Sequence, residues 1–295
     1  HTANRRQRQM CIRDRVRKVI SSFKEATGAS FDALRPRELQ LIDDEGIEAM
    51  IDLFEVIELR CEWPDFVTKM AFIPKTDGGL RPIALLGALV RIHGRLRRPI
   101  AKQWEQQHDR PYWWASAGKS CDRAVWQQQA RAEWVHMMGT LYEQQDWASA
   151  SVLLDLWKAF EQILHSQLLK ACQAHDFPLW LAKLQVNLYR MPRVVCLEGC
   201  CSDELQVMQT VLAGDAFATT FMKVMLLSPL DAMVTKHPAV VPAVVVDDLV
   251  MQRWGGTSKV EKDLVASTKL LVKELGKAKL KLSLIHISEP TRLNP

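Results

Sequence analysis

No stretch of this chain stays apolar for the ~18 residues that a membrane-spanning helix needs, so no membrane is expected among its partners. Internal repeats and low-complexity tracts are also missing, which excludes solenoids and fibrous arrays. Seven cysteines are present, but not at the spacings of a disulfide framework. Cys196, Cys200 and Cys201 lack the paired spacing of a zinc site. Reduced, intracellular thiols are the expectation. His93, His108, His136, His165 and His175 show no ligand spacing. Gly118-Lys119-Ser120 looks like the end of a phosphate-binding loop, but the earlier glycine that loop requires would fall at Trp113.

Excess positive charge is nearly absent too, once the ends are set aside. Met10 to Arg15 and Leu282 to Ile287 are encodable by DNA strings that are reverse complements of each other, and their flanks resemble translated sequencing-library adapters. Residues 1–15 and 282–295 are therefore expected to be cloning or assembly scars outside the fold. The first segment holds five Arg and one Asp, and the second Arg292 and Glu289, so the formal +5 falls to about +1 for residues 16–281. Net charge gives little support to nucleic-acid binding; any support must come from where the basic residues lie. With 48% hydrophobic residues, the chain has enough apolar surface for a large core in one or two domains.

What is present is a patterned series of elements. Arg37 to Leu59 carries apolar residues at helical spacing, as one helix or a pair, and Trp63-Pro64 stops it. Thr68–Pro74 and Leu80–Ala84 read as strands around the turn Thr76-Asp77-Gly78-Gly79. Helices are expected over Leu85–Gln107, Lys119–Gln145, Lys158–Ala174, Pro178–Met191, Gly214–Val234 and Ser258–Gly276. Arg193–Glu198 and Glu204–Val207 suggest a second hairpin, and His108 to Ser120 is irregular. Ten Trp residues, including Trp113 and Trp114, are expected mainly in packing rather than stacked on bases.

The most informative stretch is Val244-Val245-Val246-Asp247-Asp248-Leu249-Val250-Met251. Two carboxylates between apolar runs read as a β-hairpin with both acids at or beside its turn. Like charges so close repel, a cost that a divalent cation removes; a solvated turn is the other common use of such a pair. A third acid, Asp155, ends the apolar run after Ser151, where α/β sheets keep their ligands. Two strands, one ending in Asp155 and one in Asp247, would pool carboxylates. Hard oxygen ligands in that number suit Mg²⁺.

Four blocks in order resemble the reverse transcriptases of non-LTR (LINE-like) retrotransposons. Phe72 to Leu86 is similar to their fingers motif, Asp155-Leu156-Trp157-Lys158-Ala159-Phe160 to motif A, Ala213-Gly214-Asp215-Ala216-Phe217-Ala218 to motif B, and Val245-Val246-Asp247-Asp248 to motif C. The likeness runs from about Leu39 to Leu280. It departs from the commoner pattern at Ala213, where Gln is frequent, in the absent Ser-Pro after Gly214, and at Val245, where an aromatic is usual.

The resemblance implies an α/β (α+β) fold: a right-hand polymerase palm at 151–281, with N-terminal helices and a fingers subdomain at 16–150. A thumb should follow motif C, and the chain between Leu249 and Lys281 is expected to be too short for one. It also implies that Asp155, Asp247 and Asp248, with the Leu156 carbonyl, hold two Mg²⁺ (or Mn²⁺) ions. Asp155 and Asp247 would bridge both, and Asp248 would ligate more weakly. Lys75 and Arg81 would reach the triphosphate. Phe160 would either gate against a ribose 2′-hydroxyl or pack in the core. Gly214 would allow close approach of template or nucleotide, or cap a helix. RNA template, DNA primer and dNTPs are the implied partners. The rival expectations are an RNA-dependent RNA polymerase and a truncated, catalytically incompetent remnant that at most binds nucleic acid.

Overall fold

The computed structural model of the protein describes residues 2–76, 78–141 and 146–283. In chain order its elements are helix α1 (Thr2–Ser21), a 3-10 turn (Pro36–Leu41), α2 (Asp44–Arg60), strands β1 (Thr68–Pro74) and β2 (Leu80–Leu85), then α3 (Ala88–Gln107) and α4 (Cys121–Leu141). There follow β3 (Trp147–Asp155), α5 (His165–Ala174), α6 (Leu179–Tyr189), β4 (Arg193–Leu197) and β5 (Cys200–Cys201). The chain continues with α7 (Ala218–Lys236), β6 (Val241–Val245), β7 (Asp248–Gly256) and α8 (Thr257–Lys277). Mixed helix and strand is thus the fold class. Among the described residues no helix is long and apolar enough to cross a membrane.

Two compact units divide the chain, and each takes two segments. The first uses the described residues within His1–Trp104 and Leu164–Phe221, the second those within Glu105–Ile163 and Met222–Pro295. The expected boundary at residue 150 falls inside β3.

In the first unit the sheet order is β2-β1-β4-β5, with β1 antiparallel to β2 and parallel to β4. Of the two readings from Arg37, one helix or a pair, two helical segments form, the 3-10 turn and α2, divided at Ile42-Asp43. There the Asp43 carboxylate accepts the Gly46 N–H at 2.8 Å and caps α2. That helix buries Ile47, Met50, Phe54 and Ile57, one face at helical period. Arg13, within the expected N-terminal scar, lies 3.3 Å from Asp44 and 3.2 Å from Glu48.

Three expectations are corrected here. The helix expected from Lys158 begins only at His165, because Lys158 takes φ +46° and residues 157–162 form turns. The second hairpin turns at Glu198 and Gly199, both at positive φ (+50° and +84°), the pattern of a two-residue type I′ turn. It therefore pairs with Cys200–Cys201, and Glu204–Val207 keeps a single bridge, Leu205 to Arg193. That register sets Cys196 opposite Cys201, Cα atoms 4.3 Å apart, and the two are joined by a disulfide rather than left as thiols.

The second unit is built on the sheet β3-β7-β6. Its outer edges are both engaged. Trp113 bridges Val244 in parallel, with N–H···O bonds of 2.8 and 2.9 Å on either side, and Leu156 bridges Leu282. Covered edges remove unpaired backbone groups. Leu249 and Met251, buried on one sheet face, share their side with Arg253, which pairs with Asp263 of α8 at 2.8 Å. Gln252 and Trp254, on the opposite face, meet α4 through the Gln128 carbonyl (2.9 Å) and the Arg131 guanidinium.

Candidate functional site

β3 lies beside β7 and not beside β6. The strand that ends in Asp155 therefore neighbours the strand that begins at Asp248, and the two acids are register partners. In an antiparallel pair, opposite residues share a face with Cβ atoms about 4.5–5.5 Å apart. Asp155 and Asp248 are both exposed, at the same end of the sheet. The pooling of carboxylates expected from Asp155 and Asp247 is thus made first by Asp155 and Asp248. Two like charges directly opposite each other destabilise a bare sheet. Their chemistry fits a hard cation.

Asp247 sits in the two-residue turn with Val246 that links β6 to β7. Val246 has φ +60° and Asp247 does not share the positive sign, the pattern of a type II′ turn, whose first central residue is normally Gly. A β-branched residue there is strained by about 1–3 kcal/mol. Buried Val244 and Leu249 hold the turn from either side. Among the described residues, no three His, Cys, Asp or Glu side chains stand close enough together to hold a metal ion as placed.

Leu156 follows Asp155 and is buried. Its neighbours are pinned by the segment 281–283: the Ser283 N–H donates to the Asp155 carbonyl at 2.7 Å, and Trp157 N–H to the Lys281 carbonyl at 3.0 Å. Phe160 lies half-buried in the 157–162 turn instead of on the expected helix.

Lys75, Arg81 and Gly214 belong to the first unit. Arg81 pairs with Ile73 on the β1–β2 hairpin, and Lys75 follows Pro74, the last residue of β1. Both are exposed. Lys75 N–H donates to the Gly79 carbonyl at 2.7 Å and closes the loop. Asp77 of that loop lies outside the described residues.

Gly214 has φ +102°, and a Cβ there would stand 3.1 Å from the Ala84 carbonyl oxygen. The Ala84 N–H donates to the Ala213 carbonyl at 3.1 Å, so this turn is docked on β2. Backbone proximity and φ demand glycine, and Gly214 is not a helix cap, since α7 starts at Ala218. The sequence did not single out the anchor of this turn. Tyr189 Oη donates to Asp215 at 2.6 Å, and Phe217 N–H to the same carboxylate at 3.1 Å. Burial pushes the Asp215 carboxyl up against those hydrogen bonds. Burial and the facing carboxylate also push the Tyr189 phenol well above its usual range.

Lys119 of the rejected phosphate-loop look-alike makes an ordinary ion pair with Asp109 at 3.1 Å. No protein-family model matches the chain, and a search of curated proteins returns no match.

Proposed function

We propose that the chain is the fingers–palm portion of an RNA-directed DNA polymerase of the non-LTR retrotransposon type. The supporting observation is the pairing of Asp155 with Asp248, with Asp247 in the adjoining turn. In this reading Asp155, Asp247, Asp248 and the Leu156 carbonyl hold Mg²⁺ or Mn²⁺. Two such ions, when bound, activate a primer 3′-hydroxyl and neutralise the triphosphate and departing pyrophosphate. The chain's own part is positional. Opposed carboxylates of Asp155 and Asp248 at the strand ends would hold cationic charge, and the Val246 turn carries Asp247 next to Asp248 in the chain. Lys75 and Arg81 bind phosphate oxygens of the incoming dNTP, and Gly214 leaves room for close backbone approach. RNA template and DNA primer complete the partners.

A primer-extension assay on an RNA template with Mg²⁺ tests this reading. Wild-type protein is expected to add dNTPs, and Asp247→Asn to lose addition while its circular dichroism is unchanged. Addition of rNTPs in preference to dNTPs would point to an RNA-dependent RNA polymerase. Binding without any extension would leave a non-catalytic remnant.

A further inference from the structure

Trp126 and Trp134 stand eight residues apart on α4, so their Cα atoms are about 12 Å apart along one side of the helix. Ala130, midway between them, is small and leaves a slot. Trp254 of β7 walls the slot, and with Gln127 and Arg131 these residues line an open groove of about 430 Å³. That volume falls within the range of ligand sites, about 300–1,000 Å³. Trp126 is 69% exposed and Trp134 42%, unlike the buried Trp63, Trp104 and Trp113.

A second stripe runs beside the aromatic one at the same spacing: Arg123, Gln127, Arg131. The Arg131 guanidinium lies 5.6 Å from the Trp254 ring centroid. It donates to the amide oxygens of Gln127 (3.2 Å) and Gln252 (3.4 Å), both neutral. Among the described residues no carboxylate pairs with it, so there its charge is positioned but not neutralised. Flat aromatic faces alongside unneutralised guanidinium suit a ligand that alternates planar rings with anions.

We propose that this groove binds an unpaired stretch of nucleic acid, with bases stacked on Trp126 and Trp134 and phosphates at Arg131 and Arg123. Trp254 and Asp248 are an even number of residues apart on β7 and so share a sheet face. Six residues at about 3.3 Å put them about 20 Å apart, roughly six base steps of a stacked strand. A strand lying at the acids therefore reaches the groove. That last placement rests on the polymerase reading; the binding itself does not.

The test is fluorescence anisotropy of a fluorescein-labelled oligothymidylate with the whole chain, in EDTA and without nucleotide. Wild-type protein is expected to bind it, and an unlabelled duplex of equal length to compete poorly because its bases are enclosed. Trp126→Ala and Trp134→Ala should each weaken binding about 5- to 150-fold with the salt slope unchanged. Arg131→Gln should reduce that slope by about 0.7. Trp126→Phe keeps a ring and should bind within a few-fold of wild type.

Absent binding by wild type, or unchanged affinity in both alanine variants, overturns the proposal. So does a dimer, seen by light scattering, that the alanine variants dissolve, because the face would then be a self-interface. Binding without primer extension keeps the groove and rejects the polymerase; extension with unaltered binding in the variants does the reverse.

Discussion

A valine at φ +60° in the two-residue turn between β6 and β7 is costly. Glycine would accept that backbone freely and lose about 0.5–1 kcal/mol through its own chain entropy. Relief of strain is worth about 1–3 kcal/mol. Val246→Gly should therefore stabilise the protein by about 1 kcal/mol, read as a raised urea midpoint at unchanged m-value; a lower midpoint would mean that the turn is not strained. Gly214 is the opposite case. Its φ of +102° would strain any side chain, and the Ala84 carbonyl oxygen, 3.1 Å from where a Cβ would stand, would have to give way. Gly214→Ala should cost about 2 kcal/mol or more by the same measurement. Neither value of φ is visible in residue identity alone: glycine hints at such a position, and valine argues against one.

At the scale of elements, α2 and α3 are tied by Glu58, which accepts from His93 at 2.8 Å and from Arg97 at 2.5 and 2.9 Å. Burial opposes ionisation of Glu58, but the hydrogen bonds from His93 and Arg97 outweigh it and hold the carboxyl below its ordinary value of 4.5. A lowered folded-state pKa contributes stability that is complete above the unfolded value and disappears as pH falls through the folded one. Wild-type protein should melt above Glu58→Gln at pH 7, and that gap should close as pH falls below 4.5 and through the lowered folded-state value. A gap that persists in acid would remove the ion pair from the account. Period and punctuation made much of this level legible. The strand Thr68–Pro74 and the hairpin flanking Val246-Asp247 form where alternation and apolar runs place them. The start of α5 was hidden because helical spacing from Phe160 onward does not reveal a left-handed Lys158. Which arm of the acid-bearing hairpin meets β3 was hidden as well, since both arms are apolar enough to be central. The exposed Trp126–Ala130–Trp134 stripe was readable at i, i+4, i+8, yet the usual burial of Trp spoke against it.

Across the whole molecule, the acids stand in one unit and Lys75, Arg81 and Gly214 in the other. The polymerase reading gives the first set the chemistry and the second the nucleotide. Lys75→Ala and Arg81→Ala should accordingly raise the KM for dNTP by roughly 10-fold with a smaller change in kcat, the signature of lost substrate binding. An unchanged KM in both would detach the β1–β2 hairpin from the substrate. The proposed chemistry, however, rests on the carboxylates that β3 and β7 set in register. It is tested most directly by Mg²⁺-dependent addition of a single dNTP to a primer on an RNA template, with wild type compared against Asp155→Asn and Asp248→Asn. Removal of groups that merely orient metal ligands costs 10- to 100-fold, so loss of a ligand should cost more than about 100-fold. Addition within twofold of wild type by either variant, with the fold intact, would contradict the claim.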